Sequence, residues 1–256
     1  MDREKLSKLF DLSGRVAIVT GGTRGIGRAI AEGFAAAGAS VVVASRKADA
    51  VAETEAHLRA MGADAVGVAA NLGDLETPGR LVGAAIDRFG RLDIVVNNAA
   101  NALAQPVGAL TPDAWDKSYA VNLRGPVFLA QEAIPHLAAS PGGSVINVIS
   151  AGAFMFSGGL GLYTGAKAAL VGWTRVMAAE LAPRGIRVNA LAPGTVDTDM
   201  VRNNTPEAQA RIATSSLLRR MASPDEMVGP AVFLASDAAS YVTGQVLVAD
   251  GGLVAH

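Results

Sequence analysis

The stretch Thr20-Gly21-Gly22-Thr23-Arg24-Gly25-Ile26-Gly27 follows the apolar run Val16–Thr20 and opens a long Ala-rich segment. Buried strands of parallel sheets are apolar on both faces, and Val16–Thr20 has this character. Glycines at the end of such a strand allow a tight turn and let backbone N–H groups approach a phosphate, while the following helix N-terminus favours negative charge. The stretch therefore predicts a strand, a nucleotide-binding turn and a helix in succession.

The glycine spacing differs from two widespread nucleotide motifs. Ile30 stands where G-x-G-x-x-G has its third glycine. Gly22 and Gly27 have P-loop spacing, but Arg28 and Ala29 replace the Lys and Ser/Thr that a P-loop needs. A purely structural glycine turn is the alternative, and its position after the first strand favours the nucleotide site.

The same alternation of short apolar runs and longer helical stretches continues along the chain. Strands are predicted at Val16–Thr20, Val41–Ser45, Ala65–Ala69, Asp93–Asn97, Ser144–Ile149, Ile186–Leu191 and Gln245–Ala249. Helices are predicted at Gly25–Ala37, Ala48–Met61, Glu76–Phe89, Pro112–Ala139, Leu162–Ala182 and Pro224–Ser236. Apolar strands linked by helical crossovers predict a doubly wound, Rossmann-like α/β fold, in which helices cover both faces of one parallel sheet. We expect residues 1–256 to form a single domain.

Composition argues against several classes of function. The net charge of −1 favours neither nucleic acid nor an anionic membrane as partner. The chain has no cysteine, and its three histidines, His57, His136 and His256, are scattered, so no metal site is expected. A charged N-terminus without an apolar signal core, and no apolar stretch of the ~18 residues that a membrane helix needs, predict a cytoplasmic protein.

A polar segment between the sixth strand and the last helix, residues 195–222, interrupts the alternation. Long connections at the carboxyl edge of a parallel sheet often cover the substrate. We therefore expect a substrate-covering loop, and a plain surface excursion remains the alternative. The carboxylates of Asp197 and Asp199 fit either a role facing substrate or that of solvated loop charges.

Tyr163 and Lys167 are candidates for acid/base chemistry. They stand four residues apart on a predicted helix, so that they share one face, and Ser150 lies thirteen residues upstream of Tyr163. A free phenol ionises near pH ~10, so a tyrosine that acts as an acid at neutral pH needs a nearby positive charge. Lys167 is placed to supply this charge. An ordinary surface contact between the two side chains is the alternative.

The end of the second predicted strand bears on the choice of cofactor. A carboxylate there would bind the ribose 2′-hydroxyl of NAD(H) and repel the 2′-phosphate of NADP(H). This chain has Ser45, Arg46 and Lys47 instead, with Arg24 nearby in the glycine loop. Three cations beside a hydroxyl predict NADP(H), and solvated surface cations are the alternative.

Together these motifs resemble the short-chain dehydrogenase/reductase family, from about Leu12 to Gly252. The family motif T-G-x-x-x-G-x-G is Thr20–Gly27, and N-N-A-G appears as Asn97-Asn98-Ala99-Ala100. The family's Y-x-x-x-K motif is Tyr163 to Lys167, and its helix asparagine and catalytic serine are Asn122 and Ser150. The P-G turn of the family is Pro193-Gly194, and it is followed by Thr198. The resemblance implies seven strands in the order 3-2-1-4-5-6-7. Departures are Ala100 for glycine, Asn71 where many members have an acid, and Ala151 where a second serine is common.

The resemblance implies specific roles for these residues. Tyr163 would exchange a proton with the substrate oxygen while hydride passes between the nicotinamide and a carbonyl or alcohol carbon. Lys167 and the oxidised nicotinamide would lower the pKa of Tyr163, Ser150 would hold the substrate oxygen, and Asn122 would hold a water that connects Lys167 to solvent. Cofactor contacts are expected at Gly21, Thr23, Arg24, Gly25, Ile26, Gly27, Ser45, Arg46, Lys47, Asn71, Leu72, Asn98, Ala99, Ala100, Tyr163, Lys167, Pro193, Gly194, Val196 and Thr198.

The expected pocket lining favours an apolar small-molecule carbonyl or alcohol. It comes from Ala151–Leu162, Asn101–Ala104 and the stretch around Met200, and it includes Leu103, Ala153, Phe154, Met155, Phe156, Leu160 and Leu162. Packing of several of these side chains into the core is the alternative.

Three functions follow from these observations, in a fixed order of preference. An NADP(H)-dependent carbonyl reductase comes first. A 3-oxoacyl-carrier-protein reductase comes second, because Ile134–Gly143 has no Lys or Arg for an acidic carrier, although Arg184 and Arg187 follow the next helix. A non-catalytic dinucleotide sensor or scaffold comes third. A wide apolar arc on the helix around Leu170 and Trp173, together with the resemblance, predicts a homotetramer.

Overall fold

Seven parallel strands form one sheet in the computed structural model, which describes residues 1–155, 158–203 and 205–254. The strands are β1 (Val16–Thr20), β2 (Ser40–Ser45), β3 (Ala65–Ala69), β4 (Ile94–Asn97), β5 (Ser144–Val148), β6 (Arg187–Pro193) and β7 (Val246–Ala249). Their order is β3-β2-β1-β4-β5-β6-β7, which confirms the predicted Rossmann-like arrangement. The strand order therefore changes direction at β1, which has β2 on one side and β4 on the other. Sheets of this kind bind their ligands at this switch point.

Helices connect successive strands. The α-helices are α1 (Arg3–Lys8), α2 (Gly25–Ala36), α3 (Ala48–Ala60), α4 (Thr77–Phe89), α5 (Pro112–Tyr119), α6 (Gly125–Ala139), α7 (Gly161–Leu181), α8 (Asp199–Arg202), α9 (Pro206–Ala213) and α10 (Val228–Ala235). Gly90 ends α4 with a φ of 72°, a left-handed conformation that glycine adopts without steric cost. No helix in the described part of the chain is long and apolar enough to cross a membrane.

Apolar side chains fill both faces of the sheet. In β1, Val16 and Ile18 belong to the core on one face, while Ala17 and Val19 belong to the core on the other. The first core packs against α4 and α6, and the second packs against α2 and α10. This two-sided burial explains why the strands lack polar alternation in the sequence.

A buried carboxylate joins three elements at the amino edge of the sheet. Asp93 accepts hydrogen bonds from the backbone N–H of Val16 and from the side chains of Arg91 and Ser140. Burial raises its pKa, but these hydrogen bonds and the Arg91 charge outweigh burial and hold the pKa of Asp93 below its usual value. This cluster lies at the opposite end of the strands from the candidate site.

The structure differs from the sequence prediction in two places that matter for function. The predicted helix Pro112–Ala139 is interrupted by a π-helical turn at Ala120–Arg124, which contains Asn122. Segment 195–222, predicted to be a substrate-covering loop, contains the short helices α8 and α9, and a β-bridge between Val196 and Ala222 joins its two ends. Asn204 of this segment lies outside the described residues. The bridge makes the segment a closed excursion from the body of the fold.

Candidate active site

The glycine loop between β1 and α2 forms a cradle at a helix N-terminus. Gly21 and Gly25 have φ values of 65° and 52°, which favour glycine, and no side chain caps the first turn of α2. The N–H groups of this turn therefore have the orientation and the partial positive charge that bind a phosphate. The loop fits the pyrophosphate of a dinucleotide.

Asn98 braces this loop from the end of β4. Its Nδ2 donates to the carbonyls of Thr20 at 2.9 Å and Gly21 at 3.2 Å, and its backbone N–H donates to Thr20 Oγ1 at 3.0 Å. A Cβ atom at Gly27 would overlap Asn98 Nδ2 and the Gly21 carbonyl. The Asn98 side chain, predicted to contact the cofactor, thus holds the shape of the loop.

The end of β2 carries the cations predicted to select NADP(H). Ser45 is half-buried, whereas Arg46 and Lys47 are exposed and form no ion pair with any residue in the described ranges. Arg24, the third predicted cation, instead pairs with Asp199 of α8 at 3.1 Å, and both side chains are exposed. The glycine loop and segment 195–222 are therefore in direct contact.

The other predicted cofactor residues line the carboxyl edge of the sheet. Asn71 and buried Leu72 follow β3, and Asn71 caps its own turn by accepting from the Gly73 N–H. Thr23, Ile26, Ala99, Ala100, Pro193, Gly194, Val196 and Thr198 lie at the ends of β1, β4 and β6. Gly194 packs so closely on Asp250 that a Cβ atom there would clash with its backbone.

Tyr163 and Ser150 come together in the site. Ser150 follows β5, and its Oγ accepts a hydrogen bond from the Gly152 N–H at 3.0 Å. Tyr163 lies in the first turn of α7 and is hydrogen-bonded to Ser150. Burial raises the pKa of Tyr163, and the Ser150 hydrogen bond opposes this effect only in part. The predicted lowering of this pKa is therefore not found in the protein by itself.

Lys167 lies one turn further along α7 and is fully buried. Its Nζ donates to the Val148 carbonyl at 2.7 Å and lies 5.8 Å from the centroid of the Tyr163 ring. Burial lowers the pKa of Lys167 to about 8, so the amine loses its proton more easily than an exposed lysine. At neutral pH a lysine with this pKa is still mainly charged, but it gives up its proton over a lower pH range than an exposed lysine.

Asn122 is the fourth predicted catalytic residue, and it is fully buried in the π-helical turn. Its Oδ1 accepts from the Asn101 N–H at 3.2 Å, and its Nδ2 donates to the Asn101 carbonyl at 2.9 Å. Nδ2 also lies 3.1 Å from Ser118 Oγ. Sequence reasoning missed Ser118, although its position four residues before Asn122 on a helix was the available signal.

The apolar residues predicted to line the substrate pocket differ widely in exposure. Phe154 and Met155 are each 41% exposed, and Met200 in α8 is 44% exposed. Leu162 is 1% exposed and belongs to the core, as the alternative reading of the lining expects. Leu103 and Leu160 are half-buried, Ala153 packs against core residues, and Phe156 lies outside the described residues.

The charges near the site and at the far edge have definite partners. Asp197 binds Arg202 through two contacts of 2.7 Å and 3.0 Å, and Asp199 binds Arg24. Arg187, considered as part of a carrier-docking surface, donates to the backbone carbonyls of Leu234 and Ser236 near the end of α10. Burial lowers its pKa to about 10. Arg187 therefore serves packing at the amino edge of the sheet.

Comparison with known proteins agrees with this geometry. A family model described as Enoyl-(Acyl carrier protein) reductase matches residues 21–254. The chain is 40% identical to Short-chain dehydrogenase/reductase SDRA of Arabidopsis thaliana over 94% of this chain and 95% of that protein. It is 39% identical to Dehydrogenase/reductase SDR family member 4 of Homo sapiens over 94% of this chain and 88% of that protein.

A solved structure from Beutenbergia cavernae has the same fold. It is described as a candidate NAD(P)-dependent gluconate 5-dehydrogenase with NADP bound at low occupancy. The TM-score is 0.89 at 40% identity, and the match covers 96% of this chain and 98% of that chain.

Proposed function

We propose that this chain, which belongs to the short-chain dehydrogenase/reductase family of oxidoreductases acting on alcohol and carbonyl groups, uses NADP(H) and acts on fairly apolar substrates. The family uses a nicotinamide cofactor, which supplies or accepts the hydride when bound. The observation that carries the proposal is the grouping of Tyr163 with Ser150 and buried Lys167, whose Nζ lies 5.8 Å from the Tyr163 ring centroid, at the sheet edge that also carries the glycine cradle.

Each of the four site residues has a distinct part in the proposed reaction. Tyr163 donates its proton to the carbonyl oxygen during reduction and accepts it during oxidation. Ser150 holds that oxygen by a hydrogen bond, since its hydroxyl already lies beside Tyr163. Lys167 is a proton reservoir, because burial brings its pKa to about 8. Asn122 orients the path between Lys167 and solvent along which the proton given up by Tyr163 is replaced.

The preference for NADP(H) rests on the cations at the end of β2. Arg46 and Lys47 are exposed, and neither has an ion-pair partner in the described part of the chain, so both are available to a phosphate dianion. Arg24 could join them only by leaving Asp199. Among the similar structures, the Beutenbergia cavernae chain has NADP bound.

Two observations support the apolar carbonyl over a carrier-linked acyl group. Met155 and Met200, in the segments that follow β5 and β6, place exposed apolar surface at the carboxyl edge of the sheet. Arg187 is engaged with backbone carbonyls, which leaves fewer cations for an acidic carrier protein. The gluconate named for the Beutenbergia cavernae chain supports a competing polyol substrate.

Three further properties belong to the same proposal. Segment 195–222 covers the substrate, since its ends are bridged and its α8 touches the glycine loop through Asp199. Exposed Trp173 and Val176 on α7 support a homotetramer, which light scattering would test. The cytoplasmic location stays a prediction for cell fractionation.

A substrate panel with two tyrosine variants tests the function. NADPH oxidation is measured with benzil (an apolar diketone), with an acetoacetyl carrier protein and with 5-ketogluconate. We expect benzil to react fastest, and Tyr163→Phe to lose roughly 10²–10⁴-fold in kcat while still binding NADPH. Tyr241→Phe is the matched control, because Tyr241 is fully exposed. Equal activity of wild type and Tyr163→Phe would refute the mechanism, and faster turnover of another substrate would replace the proposed substrate class.

A further inference from the structure

A fully buried serine next to Asn122 has no part in the mechanism described so far. We propose that Ser118 is a positioning residue, which ties the Asn122 amide to the first turn of α7 and so to Tyr163. The inference rests on the proposed function, because it concerns the same reaction.

Ser118 connects two parts of the site through two hydrogen bonds. Asn122 Nδ2 donates to Ser118 Oγ at 3.1 Å, and Ser118 Oγ donates to the Leu162 carbonyl at 3.2 Å. Ser118 and Asn122 are fully buried, and Leu162 is 1% exposed. Leu162 directly precedes Tyr163. A displacement of α7 would therefore reach the Asn122 amide through Ser118.

The remaining contacts of the amide hold it to a different element. Nδ2 has two hydrogens but three acceptors within 3.1 Å, and two of these, the carbonyl at 2.9 Å and Oδ1 at 3.0 Å, belong to Asn101. Asn101 lies in the loop after β4 and is only half-buried. Without the Ser118 hydroxyl, the amide would rest on this loop, and the link to α7 would be lost.

The hydrogen bond between Ser118 and Asn122 spans the junction between α5 and the π-helical turn. Ser118 lies in the last turn of α5 (Pro112–Tyr119), and Asn122 follows within the π-helical turn Ala120–Arg124. A π-turn replaces the regular i to i+4 backbone hydrogen bonds by wider i to i+5 bonds, and such turns are frequent at functional sites. The Ser118 hydroxyl holds the Asn122 amide across this junction and at the same time donates to the Leu162 carbonyl of α7.

Loss of the hydroxyl should change the rate of proton handling and leave binding intact. In Ser118→Ala we expect kcat with benzil to fall roughly tenfold to hundredfold, since small misplacements of catalytic groups have effects of this size. We expect KM for benzil and Kd for NADPH to stay within about twofold, because Ser118 is fully buried and its hydroxyl bonds to Asn122 and the Leu162 carbonyl. The pH profile of kcat should shift, because Asn122 orients proton replacement for Lys167.

The experiment compares three variants in the full-length protein. Ser118→Ala removes the hydroxyl, and Ser118→Thr keeps it and should restore most of kcat. Ser144→Ala is the matched control, because Ser144 is also fully buried and donates to a backbone carbonyl, that of Leu234 at 3.0 Å, at the amino edge of the sheet. Ser144→Ala should lose stability but keep wild-type kcat and pH profile. If Ser118→Ala does not fold, Ser118→Cys, with its weaker donor, takes its place.

The possible results separate this inference from the proposed function. An active wild type with unchanged kcat and pH profile in Ser118→Ala would overturn the role of Ser118 alone. An equal loss of kcat in Ser144→Ala, or a folded Ser118→Thr as slow as Ser118→Ala, would also overturn it, since the effect would then be structural. A wild type that reduces no compound in the panel would overturn both.

Discussion

Burial of Lys167 should make the stability of the protein without cofactor depend on pH in a characteristic way. Burial lowers the pKa of Lys167 from 10.5 to about 8. At neutral pH the folded state must therefore keep an ammonium away from water, at a cost of about 3 kcal/mol, partly offset by the hydrogen bond to Val148. Above pH 8 the folded state releases this proton, whereas the unfolded chain keeps it up to about pH 10.5. Stability should therefore rise with pH in this window.

Comparison with Lys167→Met isolates this effect. Methionine fills similar space without a charge, and the lost hydrogen bond to the Val148 carbonyl adds a cost that does not depend on pH. The free energy of unfolding of the wild type, minus that of Lys167→Met, should rise by about 2–3 kcal/mol between pH 7 and pH 10. Reversible urea unfolding of the cofactor-free protein measures this difference.

Lys117→Met provides the control, because Lys117 is exposed and forms a helix-surface ion pair with Asp113. Its difference from wild type should be small and nearly constant with pH. If the Lys167→Met difference were equally constant, or fell as the pH rose, Lys167 would not be a desolvated ammonium in the folded state, and its proposed part as a proton reservoir would fail.

Three further predictions concern the cofactor cradle and the amino edge of the sheet. Arg46→Ala should raise KM for NADPH about tenfold or more and leave KM for NADH nearly unchanged, because only the 2′-phosphate of NADPH loses a charged partner. Steady-state kinetics with both cofactors measures the two KM values, and an equal rise in both would contradict the prediction. Gly27→Ala should weaken NADPH binding strongly, because the added Cβ would overlap Asn98 Nδ2 and the Gly21 carbonyl. Fluorescence titration measures the Kd for NADPH, and an unchanged Kd would show that the loop adapts to the extra methyl group. Asp93→Asn should lower the free energy of unfolding relative to wild type, most strongly above about pH 4 and less as the pH falls, because the pKa of Asp93 is held low in the folded state. A loss of stability that does not depend on pH would contradict this prediction.

Much of the fold follows from local sequence patterns. The β1 core residues and the Gly21–Gly27 turn predicted a strand, a turn and a helix, and the structure has β1 and α2 within one residue of those bounds. Tyr163 and Lys167 share a face because helical periodicity alone brings residues i and i+4 together. The seven-strand order needed the family resemblance, since the pairing partners of parallel strands are distant in sequence.

Only the tertiary structure decides which electrostatic environment each of these side chains has. The sequence predicted that Lys167 and the oxidised nicotinamide together make Tyr163 acidic, whereas in the chain by itself burial raises the pKa of Tyr163 and lowers that of Lys167. Arg24 meets Asp199, and Ser118 meets Leu162, across 175 and 44 residues of chain. Desolvation depends on everything packed around a group, and such contacts depend on how distant elements pack. Neither quantity is present in a local sequence pattern, whereas strand burial and helical spacing are.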